Sequence, residues 1–114
     1  MQTCIYGPSG SGKSTKQIHL MEKGFACFDS DFIYAMYHIH GGNKSNPNHE
    51  EVWTRVVDKF CELYERTQLK GYDFIFTADV RIRDFLKSKG LLMRNLSKQF
   101  SVEEGERDLE VPAQ

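Results

Sequence analysis

The residues best suited to chemistry lie near the N-terminus, in Gly7-Pro8-Ser9-Gly10-Ser11-Gly12-Lys13-Ser14-Thr15. They fill every fixed position of the pattern G-x-x-x-x-G-K-[ST]. A polyphosphate needs several hydrogen-bond donors converging on one small volume. Successive backbone N–H groups in a tight turn supply them where side chains stay out of the way, which accounts for glycine at 7, 10 and 12. Lys13 adds a point charge that can reach β- and γ-phosphates, and the Ser14 hydroxyl is the usual kind of ligand for Mg²⁺. The spelling therefore predicts binding of a nucleotide's phosphates together with Mg²⁺, with Gly7, Ser9, Gly10, Ser11, Gly12, Lys13, Ser14 and Thr15 as the nucleotide-binding set.

Such a loop must run from a strand into a helix. Thr3-Cys4-Ile5-Tyr6 reads as a short buried strand, and Ser14 to Lys23 reads as the helix, with Ile18, Leu20 and Met21 as a modest apolar face and Gly24 as its stop. Phe25-Ala26-Cys27-Phe28 is an apolar run of strand length, followed at once by Asp29-Ser30-Asp31. Two carboxylates thus stand at the C-terminal end of a second strand, the edge at which open parallel sheets bind ligands. A helix N-cap for the segment from Phe32 to Tyr37 is the rival reading of the same residues.

Residues 41–49, rich in Gly, Asn and Ser, carry the strongest loop signal. Val52, Trp53, Val56, Val57, Phe60, Leu63 and Tyr64 then form a helical stripe that should end before Gly71. Trp53 lies on that stripe and is expected in the core rather than under a base. Tyr72 to Thr77 is the third strand, Arg81 to Lys89 a short helix closed by Gly90, and Leu91-Leu92-Met93 either a fourth strand or a helix through Leu96. Asp79, at the end of the third strand, is either a Mg²⁺-holding acid or the cap of the next helix. Arg81 could grip an acidic acceptor, whereas Arg83 is expected to be a solvated surface residue.

Strands alternating with helices predict an α/β fold: a three-layer P-loop NTPase architecture with a short parallel sheet of three to four strands. A domain over 1–100 and an acidic, flexible tail over 101–114 are expected. With 39% apolar and 27% charged residues, composition argues against both disorder and a membrane span, and a net charge of −1 offers no track for nucleic acid. A cytoplasmic location without a leader is expected. Cys4, Cys27 and Cys61 form no C-x-x-C pair and read as small apolar residues, and His38 and His40 lack the neighbours a zinc site requires. Asn43-Lys44-Ser45-Asn46 superficially matches a guanine-reading motif but lacks its final Asp.

The loop, a spacing of twelve residues and then Phe28-Asp29-Ser30-Asp31 resemble the small P-loop kinases of the nucleoside monophosphate kinase superfamily. The Phe-Asp-Ser-Asp segment is especially similar to shikimate and gluconate kinases, and more loosely to the kinase domain of phage polynucleotide 5′-kinase. The likeness covers residues 1–34 and, more weakly, Gly71 to Phe76. It implies an ATP-dependent phosphotransferase acting on a small hydroxyl or phosphate acceptor, a nucleoside, nucleotide or metabolite, with a nucleic-acid 5′ end the less favoured acceptor. It further implies Asp31 as base or orienter of the acceptor and Asp29 in the Mg²⁺ water shell; with the positional readings above, the candidate catalytic residues are Lys13, Asp31 and Arg81 and the candidate metal residues Ser14, Asp29 and Asp79. The family's arginine-bearing lid has no recognisable counterpart, since only Arg94 and Arg107 remain to supply it. Three alternatives stay open: a reduced kinase, a homo-oligomer that borrows the missing parts, or a non-catalytic ATP-binding module acting through a protein partner.

Overall fold

The computed structural model describes residues 2–8, 10–41 and 49–96. In chain order they form β1 (Thr3–Tyr6), α1 (Lys13–Glu22), β2 (Cys27–Asp29), α2 (Ser30–Gly41), α3 (His49–Glu65), β3 (Phe74–Thr77), α4 (Val80–Ser88) and β4 (Leu92–Asn95). The four strands make one sheet in the order β2-β3-β1-β4, and every pairing is parallel. This is the expected α/β architecture, with Leu91-Leu92-Met93 resolved in favour of a strand. The acidic stretch 101–114 and the loop residues 42–48 lie outside the described residues.

β1 and β3 are apolar and almost wholly buried, so helices cover both sides of the sheet, while β4, Leu-Met-Arg-Asn, is a half-buried edge. Cys4 and Ile75 point to one face, where they meet Ile33 of α2, Val56 and Phe60 of α3, and Ile82 and Leu86 of α4. Ile5, Phe74 and Phe76, one residue out of step, point to the other face with Cys27 and Leu96, under Leu20 of α1. Trp53 is half-buried against the larger cluster and stacks on Tyr34 with ring centroids 4.9 Å apart. That contact ties α3 to α2.

Both α1 and α4 end in the same six-residue hydrogen-bond motif. Gly24 N–H donates to the Met21 carbonyl and Phe25 N–H to that of Leu20, while Gly90 and Leu91 repeat the pattern on Lys87 and Leu86. The glycine stops read from the sequence are therefore where those helices end. Asp73 then fixes the start of β2, its carboxylate accepting the Ala26 N–H at 2.8 Å.

The expected apolar face of α1 is only partly right. Leu20 is buried, but Ile18 and Met21 are more than half exposed, whereas Lys13, Lys16 and Gln17 are buried. Helical geometry explains this: once Lys13 faces inward, the residues three, four and seven places on share its face. Among the described residues no helix is long and apolar enough to cross a membrane.

Candidate phosphate-binding site

The register places the site. Thr3 pairs with Phe74 and Cys27 with the same residue, so Tyr6, Thr77 and Asp29 reach the C-terminal sheet edge almost level. Three segments are therefore presented side by side: the glycine loop after β1, Asp29-Ser30-Asp31 at β2, and Ala78-Asp79 after β3.

The loop is anchored and shaped by its backbone. Gly7 N–H donates to the Thr77 carbonyl at 3.2 Å, and Ser11 N–H turns back to the Pro8 carbonyl at 3.1 Å. A Cβ on Gly7 would lie 2.4 Å from Ser11 Oγ and 3.1 Å from Leu96 Cβ, so no larger residue fits without displacement. Gly10 and Gly12 have φ of 85° and 93°, the left-handed region that other residues enter at a cost. Gly12 precedes α1 without a side-chain cap, and the first helical bond runs from Lys16 N–H to the Gly12 carbonyl at 3.0 Å. The N–H groups and positive dipole end of α1 are thus turned toward the loop.

Within this frame Lys13 is buried, while Ser14 and Thr15 are exposed on the first turn of α1. Ser11 Oγ is buried and has no hydrogen-bond partner among the described residues. A buried polar atom without a partner is uncommon in folded chains, and here it stands inside the glycine cradle. Ser9 lies outside the described residues.

Asp29 is only 4% exposed. Its Oδ1 accepts the Asp31 N–H at 2.8 Å, so it caps α2. Burial pushes its carboxyl up to about 6; the Asp31 N–H opposes this, the Asp31 carboxylate adds to it, and the Lys13 ammonium opposes it. The structure thereby brings Lys13 and Asp29 into one electrostatic neighbourhood. Asp31 is exposed at the same strand end. Two oxygen donors of the kind Mg²⁺ prefers, the Ser14 hydroxyl and the Asp29 carboxylate, stand on the elements that flank this edge. Among the described residues no group of three or more His, Cys, Asp or Glu side chains gathers as a self-sufficient metal site. A magnesium ion carried by nucleotide phosphates needs only one or two protein ligands, so the donors fit that mode of binding.

Asp79 is the N-cap of α4, accepting the Arg81 N–H at 2.8 Å. Arg81 also closes on it through the side chain and reaches Glu50 at 3.4 Å and Thr54 at 3.4 Å. Burial would raise the Asp79 carboxyl, but these bonds to Arg81 together hold it below the usual range. The two residues assigned from sequence to metal and acceptor are thus bound to each other. Arg83 sits elsewhere, its guanidinium 4.7 Å from the Tyr6 ring centroid and paired with Asp84. With Arg94 it lines a cleft of about 270 Å³ on the β4 side of β1, away from the carboxylates of β2. Arg107 lies outside the described residues.

Sequence reading gave no role to Thr77, and named Ser30 only as part of the acidic triplet. The two hydroxyls meet at 2.9 Å in the fully buried space between the β2 and β3 ends. The signal was a polar residue closing the apolar run Phe74-Ile75-Phe76.

No protein-family profile matches the chain, and no curated protein matches it at significance.

Proposed function

We propose that this chain is an ATP-dependent phosphotransferase that moves the γ-phosphoryl group to a small hydroxyl or phosphate acceptor. The observation that carries the reading is the convergence at one sheet edge of the glycine cradle, buried Lys13 and the Asp29/Asp31 pair. The orphaned Ser11 hydroxyl inside the cradle adds to it. In this reading the loop N–H groups and Lys13 hold the donor phosphates and offset their charge. Asp31, exposed at the strand end, accepts a hydrogen bond from the acceptor hydroxyl and aims its oxygen at the γ-phosphorus. The bond from that phosphorus to the bridging oxygen breaks, the bond to the acceptor oxygen forms, and the hydroxyl proton passes to Asp31. Mg²⁺, when bound with the nucleotide, supplies further charge neutralisation, with Ser14 as ligand and Asp29 in its water shell.

The test is an ADP-release assay with ATP and Mg²⁺ across nucleosides, nucleoside monophosphates, shikimate, gluconate and 5′-hydroxyl oligonucleotides, beside Lys13→Ala. Acceptor-stimulated release that the variant lacks is the expected result. Silence with every acceptor overturns the reading.

A second reading, a nucleotide-binding module without turnover, is favoured by one observation. Arg81, the first arginine after the third strand in the chain, is committed to Asp79 and Glu50 rather than held open for transferring phosphate. Under this reading ATP and Mg²⁺ raise the melting temperature while no acceptor stimulates release. An unchanged melting temperature rules it out.

A further inference from the structure

Thr77 closes β3 with no exposed surface, and hydrogen bonds leave it in three directions. Its carbonyl accepts the N–H of Gly7, the first residue of the glycine loop, at 3.2 Å. Its hydroxyl oxygen accepts the Asp79 N–H at 3.1 Å. The same hydroxyl shares a hydrogen bond of 2.9 Å with Ser30, itself fully buried between Asp29 and Asp31. One residue is therefore bonded to the loop after β1, the acidic end of β2 and the cap of α4.

The chemistry of the hydroxyl is specific to this task. It has one proton and two lone pairs, enough to take the Asp79 N–H and still pair with Ser30. Valine would fill the same space and suit the strand, but could make neither bond. A hydrogen bond in a dry site is also stiff, because breaking it strands two buried polar groups.

We propose that Thr77 is a positioning residue for phosphoryl transfer: it fixes Asp29 and Asp31, at the junction of β2 and α2, at a set distance from the phosphate loop. The proposal rests on the phosphotransferase reading above. Transfer needs the attacking oxygen in line with the bridging oxygen, and a shift of about 1 Å can lower the rate about a hundredfold. Through Ser30, the Thr77 hydroxyl governs where Asp29 and Asp31 stand. Through its carbonyl, the same residue governs where the loop begins. The nucleotide is held by the loop itself, so loss of the hydroxyl should be felt in turnover and not in ATP affinity.

The experiment compares Thr77→Val, Thr77→Ser and Ser30→Ala with the unmodified chain, and uses Ile82→Val as a buried control on α4 outside the site. Thr77→Val is expected to lower kcat by about 10- to 100-fold with the ATP Kd within about twofold. Thr77→Ser should restore most of the rate. Combining Ser30→Ala with Thr77→Val should lower the rate no further than Thr77→Val alone, since the bond that Ser30→Ala removes is already lost in Thr77→Val. Unchanged kcat in Thr77→Val, failure of serine to rescue, or an equal loss in Ile82→Val overturns the proposal. If the unmodified chain shows no acceptor-stimulated turnover, the phosphotransferase reading fails on its own. The positional claim is then decided by amide hydrogen exchange at Asp31, whose N–H is held by Asp29 beside the Ser30–Thr77 bond. Faster exchange there in Thr77→Val, with Thr77→Ser unchanged, supports it, and a rate equal in all three proteins or altered in Thr77→Ser overturns it.

Discussion

Arg81 closes on Asp79 with one edge of its guanidinium in a bidentate contact, Nε lying 3.1 Å from Oδ1 and Nη2 2.9 Å from Oδ2. The pair sits where the third strand hands over to α4, and the backbone N–H of Arg81 completes the cap. Asp79 is therefore a helix cap first. Any role toward a metal would compete with Arg81 for that carboxylate.

Replacing Arg81 by Ala should release that carboxylate. Bonding to Arg81 depresses the Asp79 carboxyl, so its stabilisation is present above the unfolded value and is lost as pH falls. Arg81 is 39% exposed, so solvent screening limits the effect to about 1 kcal/mol at neutral pH. Urea unfolding at pH 7 and at pH 3 checks this. The gap between the two proteins should shrink at the lower pH, and a gap of constant size would show that the ion pair is not its source.

Asp29 runs in the opposite sense. Its carboxyl is raised from 3.8 to about 6, chiefly by burial, so the folded chain holds that proton more tightly than the unfolded chain. Its contribution to stability is present below about 4 and is lost as pH rises through about 6. Asp29→Asn keeps a capping side chain and removes the charge. The variant should gain on the order of 1–3 kcal/mol relative to the unmodified chain between pH 4 and pH 7. Thermal melts over that range supply the comparison, and parallel curves would contradict the assignment.

Gly7→Ala tests the cradle. Its Cβ would arrive 2.4 Å from Ser11 Oγ, so Ser11 must move, while the contact to Leu96 at 3.1 Å tightens. Overpacking of this kind costs about 1–3 kcal/mol. ATP affinity measured by calorimetry should fall at least about tenfold, since the displaced groups form the loop interior. Retention of full affinity would place the phosphates elsewhere.

The three cysteines should react in a fixed order. Burial pushes the Cys4 thiol up to about 12 and the Cys27 thiol up to about 11, with Asp73 adding to the latter. Cys61 is half-buried on α3 and is raised as well, again mainly by burial. A thiol reagent at neutral pH, followed by peptide mass mapping, should label Cys61 first and the other two only on unfolding. Early labelling of Cys4 would mean that the sheet opens locally.

How much of the molecule is legible in the sequence depends on the range of the interactions involved. The glycine loop, the alternation of strands and helices and the glycine stops of α1 and α4 are local properties. Backbone sterics and hydrogen bonding within a few residues govern them, and they stand in the sequence as written. The core stripe of α3 is legible for the same reason.

Other features depend on partners far along the chain. Ile18 and Met21 look inward on α1 until the orientation of Lys13 turns them out. Asp79 is equally good as a metal ligand or a cap by sequence, and only the fold of α3 beside α4 brings Glu50 and Thr54 to Arg81. Ser30 and Thr77 are 47 residues apart and carry no shared pattern. Parallel pairing of β2 with β3 sets their hydroxyls face to face, a relation that exists only after crossover helices have closed the sheet. The sequence by itself determined the shape of the loop, because glycine sterics act within a few residues, and the tertiary structure decided which acids and hydroxyls stand around it.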